Sequence, residues 1–137
     1  MSTSIYGKYL GDKQVELLHE QSGAMVVTDA PLDNQGLGRS FSATDLVAAA
    51  LGSCILTIAG IVAERNTYDI SGSYFRIEKH MSRDMPRRIL SMPVVFHLPA
   101  SLSAEARQKI ERAAQSCPVH HSLHPDVQRE IRFEYDV

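Results

Sequence analysis

The chain has little net charge and no block of like charge. Fourteen Lys and Arg against sixteen Asp and Glu leave −2 at pH 7. That balance gives no electrostatic case for nucleic acid, and the missing basic run gives none for an anionic membrane surface. The N-terminal segment MSTSIYGKYLGDK has no apolar core of the signal-peptide kind, so a cytoplasmic location is expected. Only two cysteines occur, Cys54 and Cys117. In a reducing compartment they are not expected to form a permanent structural disulfide, which leaves a catalytic role, a redox role or inert burial open for each. Internal repeats and low-complexity segments are absent. Gly36 and Gly38 lack the third glycine of a dinucleotide fingerprint, so the loop that holds them is not read as a nucleotide site.

What is present centres on Ser42 to Arg65, SATDLVAAALGSCILTIAGIVAER. Ser42 and Asp45 have the spacing of a capping box, and no charge interrupts Leu46 to Ala63. From Leu46, the residues Ala49, Ala50, Ser53, Thr57, Gly60 and Ile61 fall on one helical face and are mostly small. Val47, Leu51, Ile55, Ile58 and Val62 are apolar too, so a helix buried on all sides is expected. The run is long enough to raise a membrane span. Gly52, Ser53, Thr57 and Gly60 argue against one, as does the lack of an aromatic belt and of a second span. A length of 137 residues, 44% apolar and 22% charged, predicts a single domain over 1–137 with a modest core. Covering a fully buried helix strains so short a chain, which points to an oligomer.

Around this helix the pattern is mostly extended. Residues 5–10 and 14–19 read as strands about a turn at Gly11-Asp12, and Ala24–Thr28 as a third. Asp29 to Ser40 reads as a loop. Tyr68–Lys79 and Arg87–Leu98 read as a long antiparallel hairpin turned at 82–86, with an edge or bulge at Pro93. Ser103 can cap a second helix whose stripe, Ala106, Ile110, Ala113, Ala114 and Cys117, ends at the second cysteine before Pro118. His120 to Pro125 reads as a loop and Val127–Val137 as a closing strand. Strands, long helix, hairpin, helix and strand make an α+β protein.

Two clusters could carry chemistry. Cys54 lies mid-helix with nothing beside it in sequence to lower its pKa, since Asp45 falls on the opposite face. Arg39, a histidine such as His19, or a second subunit would have to activate it. Cys117 at a helix C-terminus meets the negative end of the dipole. If the sulfurs meet, one could attack and the other could close a disulfide. Buried apolar cysteines are the plain alternative. Cys117, His120, His121 and His124 also bring metal-ligand atoms close in sequence, although four ligands in eight residues between two prolines converge poorly on a tetrahedron. Neither metal nor cofactor is expected.

Ser42-Ala43-Thr44-Asp45-Leu46-Val47-Ala48-Ala49-Ala50-Leu51-Gly52-Ser53-Cys54 resembles the first-cysteine signature of the OsmC/Ohr family, the osmotically inducible and organic hydroperoxide resistance proteins. Cys117-Pro118-Val119-His120 resembles its second-cysteine segment, and the order of elements matches over nearly the whole chain. Asp45, with Thr44 before it, is similar to the OsmC-like branch rather than the hydroperoxide resistance branch. The resemblance implies an interlocked homodimer with β-sheets packed around long buried central helices. It also implies a thiol peroxidase acting on organic hydroperoxides, with Cys54 as the attacking residue, Cys117 resolving to a disulfide, and an external dithiol as reductant. Arg39 is the candidate cation for stabilising the Cys54 thiolate. A small-molecule binding protein of the same fold is the alternative it leaves open.

Overall fold

A computed structural model describes residues 1–137, and the chain forms two compact units, Met1–Val47 and Ala48–Val137. The first is an antiparallel meander of β1 (Ile5–Gly11), β2 (Gln14–His19) and β3 (Met25–Asp29) in the order β1-β2-β3. The β1–β2 turn places Asp12 and Lys13 at φ of 53° and 62°, a two-residue turn whose twist suits a hairpin. The segment after β3 closes on itself. Gly36 N–H donates to Pro31 O at 2.9 Å and Gly38 N–H to Ala30 O at 3.1 Å, around a 3₁₀ turn at Leu32–Asn34. A Cβ on Gly36 would lie 1.8 Å from the Ala30 carbonyl oxygen, so only glycine lets the loop close this way.

Helix α1 (Ala43–Asn66) starts where the capping box predicts. Asp45 N–H donates to Ser42 Oγ at 3.0 Å, and Ser42 N–H donates back to Asp45 Oδ2 at 2.9 Å. Within the single chain its burial is one-sided. Ala48, Leu51, Gly52, Ile55, Ala59 and Ala63 form one buried stripe, while Ala50, Ser53, Thr57 and Ile61 are exposed in the single chain. A helix apolar all round has no sequence signal for which face its own chain covers, and this chain covers one.

The second unit pairs β4 (Tyr74–Ile77), β7 (Val94–Leu98) and β8 (Ile131–Tyr135) in the order β4-β7-β8, beside a two-strand ribbon of β5 (His80–Met81) and β6 (Ile89–Ser91). The expected long hairpin is thus two short ladders. Its return strand breaks at Met92-Pro93, where Met92 N–H turns to Gln128 O at 2.9 Å. The closing strand is shorter than expected and runs parallel to β7, with Phe96 opposite Phe133. Parallel neighbours need a crossover, and α2 (Ala104–Ala114) supplies it. Ser103 Oγ caps α2 by accepting from Ala106 N–H at 3.1 Å. Ala106 and Ile110 then pack with Ala59 of α1 and with Leu98 and Leu102. Each strand of the sheet adds one aromatic ring to a row, Phe75 to Phe96 at 5.7 Å and Phe96 to Phe133 at 5.3 Å. Phe75 reaches α1 at Gly52, where a Cβ would stand 2.2 Å from its ring.

Candidate active site

Gly52 and Ile55 are buried on the stripe that faces the core, and Cys54 between them is half-buried. Cys117 arrives from the other end of the unit and has no solvent exposure (0%). Helix α2 stops at Ala114 rather than running to Cys117, and a short helix, α3 (Pro118–Ser122), follows. Pro118, read from the sequence as a terminator, is its first residue; proline fits there because that N–H needs no helical partner. Half of the expected His120–Pro125 loop is therefore helical.

This changes the setting of Cys117. It is the N-cap of α3, not the last residue of α2, and its Sγ accepts the His120 N–H at 3.3 Å. Both are free cysteines, and they are neighbours close enough to influence each other. Burial pushes the Cys117 thiol up, and its contact with Cys54 adds to that, while the N–H groups of His120 and Val119 pull the other way. The pair that the sequence could only suppose is brought close, with Cys117 sealed from solvent and Cys54 half-buried.

Arg39 sits in the first unit within a charged clasp. Its Nε donates to Asp29 Oδ2 at 2.7 Å and its N–H to the same oxygen at 2.9 Å, and Nη2 reaches Asp29 Oδ1 at 3.2 Å. Nη1 and Nη2 also donate to the Asp12 carboxylate at 3.1 Å and carbonyl at 3.2 Å. The Asp29 side chain is wholly shielded from solvent, and the guanidinium holds its carboxyl down at about 2. Arg39 is raised in turn by Asp29. Asp29 went unremarked in the sequence because its partner lies ten residues away across a loop whose closure depends on Gly36. His19 ends β2, and its Nδ1 meets Ser22 Oγ in the turn that follows at 2.5 Å.

The histidines after Cys117 divide rather than converge. The His120 and His121 rings meet edge to face at 5.6 Å, and His124 Nδ1 accepts from Asp126 N–H at 3.1 Å. His120 Nδ1 is buried without a partner, and burial, with the charges of Arg129 and His121, lowers its pKa. Donor atoms gather instead at His97, Glu134 and Asp136 on β7 and the end of β8, with His97 Nδ1 2.9 Å from Asp136 Oδ1 and the ring stacked on Tyr74 at 4.5 Å. The His97 ring thus hydrogen-bonds a neighbouring carboxylate, and Arg132 Nη2 holds Glu134 Oε1 at 2.7 Å.

Comparison with known proteins bears on the same residues. The family model described as OsmC-like protein matches residues 36–132, which span both cysteines. A solved structure of a candidate osmotic-stress-induced and detoxification-response protein from Psychrobacter arcticus is 36% identical, with a TM-score of 0.91 over 98% of this chain and 97% of that one. An OsmC-like protein from Mycoplasma pneumoniae (13% identity, TM-score 0.82, 100% and 99% coverage) shares the fold. So does the organic hydroperoxide resistance protein OsmC from Legionella pneumophila (14%, 0.77, 98% and 97%). Among curated proteins none matches. The α+β architecture, the family match and the 36% identical relative lead to one conclusion: this chain belongs to the OsmC-like family.

Proposed function

We propose that this chain is a thiol-dependent reductase of organic hydroperoxides, in which residues 1–137 act as one OsmC-like domain in a cytoplasmic homodimer. One observation carries the reading: the only two cysteines, from separate helices, are near enough for Cys54 to push the Cys117 thiol up. The Cys54 thiolate attacks the O–O bond; the bond breaks, the alcohol leaves after taking a proton, and Cys54 becomes a sulfenic acid. Cys117 then attacks that sulfur, a disulfide forms, and water leaves. An external dithiol restores both thiols by exchange. The uncharged run Leu46–Ala63 around Cys54 suits an organic substrate. Arg39, oriented by Asp29 and Asp12, is the cation assigned to the thiolate. The family match and the relatives named for hydroperoxide resistance support the substrate class. The exposed Ala50, Ser53, Thr57 and Ile61 of α1 support the homodimer, since apolar and small surface of this kind is covered by close packing of a second copy.

Mild peroxide should remove both free thiols and leave a monomer mass lighter by two hydrogens, with no disulfide between chains. A protein that keeps both thiols under the same treatment is not a reductase. A second reading is favoured by the engagement of the Arg39 guanidinium with two aspartates, which offsets its charge. In that reading the fold binds a small molecule beside Cys54 and reduces peroxides poorly. Thiol oxidation no faster than that of free cysteine would select it.

A further inference from the structure

Phe75, Phe96 and Phe133 stack toward the core, so their strand neighbours Tyr74, His97 and Glu134 stand on the opposite face of the β4-β7-β8 sheet. His97 lies on the middle strand, in register with Tyr74 on one side and Glu134 on the other. Asp136, two residues beyond Glu134, returns to the same side of the sheet. Tyr74 stacks on the His97 ring at 4.5 Å and 11°, which fixes the plane of the imidazole. Its Nδ1 then stands 2.9 Å from Asp136 Oδ1 and 3.9 Å from Glu134 Oε2. The other Glu134 oxygen, Oε1, is taken by Arg132 Nη2 at 2.7 Å, which leaves Oε2 turned to the histidine.

We propose that His97 Nδ1, Glu134 Oε2 and an Asp136 carboxylate oxygen bind a zinc ion. A tetrahedral zinc with ligands at about 2.0–2.2 Å holds neighbouring donor atoms about 3.4 Å apart. The separations of 2.9 and 3.9 Å bracket that edge, and all three donors lie within 4.8 Å of one another. One imidazole beside two carboxylates suits zinc, whereas magnesium and calcium favour oxygen alone. On binding, the ring keeps its proton on Nε2 and turns the Nδ1 lone pair to the ion. Arg132 stays on Oε1 and fixes the Glu134 carboxylate from outside, the part an outer partner plays for a metal ligand. His97 and Glu134 also line a cavity of about 460 Å³ with Arg76, Val95 and Arg132, so the fourth position is open to water. The ion ties the end of the closing strand to the middle strand, and through its binding to the folded chain it stabilises the sheet.

The test is a calorimetric titration of zinc chloride into the untagged, EDTA-stripped full chain. One zinc per chain should bind in the micromolar range and raise the thermal midpoint. His97→Ala and Asp136→Asn should each weaken binding by at least about tenfold. Two further chains locate the ion, one carrying Cys54→Ser with Cys117→Ser and one carrying His120→Ala with His121→Ala; both should bind zinc as the unmodified chain does. Asp136→Asn keeps the shape of an exposed side chain, so its midpoint in EDTA should match the unmodified chain, and it decides the matter if His97→Ala fails to fold. Binding no tighter than millimolar overturns the proposal, as does affinity that survives Asp136→Asn. Binding lost with the thiols or with His120 and His121 places the zinc elsewhere and overturns it too.

Discussion

The Cys54–Cys117 pair and the Asp29–Arg39 pair are held by opposite means. The thiols meet because two helix termini and a buried stripe bring apolar surface together, and neither sulfur needs a charge to stay in place. Arg39 is fixed by charge, through the buried Asp29 carboxylate and Asp12 on a tight turn. Packing can set two small groups side by side while leaving their reactivity to burial and access. A charge clasp sets orientation strictly but spends much of the cation's field on its own partners. A reactive thiol benefits from the first kind of support, and a positioned cation from the second.

The sharpest break in this comparison removes one thiol. Cys117→Ser should abolish multiple turnover while sparing the first oxidation, so a sulfenic acid on Cys54 becomes trappable by dimedone; an unchanged steady-state rate would mean that Cys117 does not resolve. Next in size is the packing beneath Cys54. Gly52→Ala forces a Cβ against the Phe75 ring and should cost about 1–3 kcal/mol, read from urea denaturation. An unchanged midpoint would show that the ring moves freely and that Gly52 does not set the contact.

The charged side is tested through pH. The Asp29 carboxyl is held at about 2 in the folded chain, below its ordinary 3.8. A depressed carboxyl stabilises the fold above its unfolded pKa, and that contribution fades as pH falls from about 4 toward about 2. Asp29→Asn should therefore flatten the acid limb of the stability profile in that window. An unaltered profile would show that the clasp does not contribute. The smallest effect is the helix cap: Ser103→Ala removes the acceptor for Ala106 N–H and should cost about 1 kcal/mol without altering thiol reactivity.

Much of this was legible in the chain. The Ser42–Asp45 box, the Ser103 cap and the Ala106–Ile110–Ala114 stripe are local rules, and local rules survive folding. Three features were not. Proline serves equally as a terminator and as the first residue of a helix, so α3 and the N-cap role of Cys117 stayed hidden. The parallel β7–β8 pairing depends on a crossover that strand periodicity does not report. Which face of α1 its own chain covers escaped because every face is apolar. At the site, the two cysteines were readable from the motif, whereas Asp29 was not, since only loop closure at Gly36 brings it to Arg39.

The most direct test is the stopped-flow rate of thiol loss with cumene hydroperoxide and with hydrogen peroxide, in the unmodified chain and in Cys54→Ser. The account predicts a rate far above that of free cysteine, faster with the organic peroxide, and lost in the substituted protein. A rate equal to that of free cysteine, or one that survives Cys54→Ser, would contradict it.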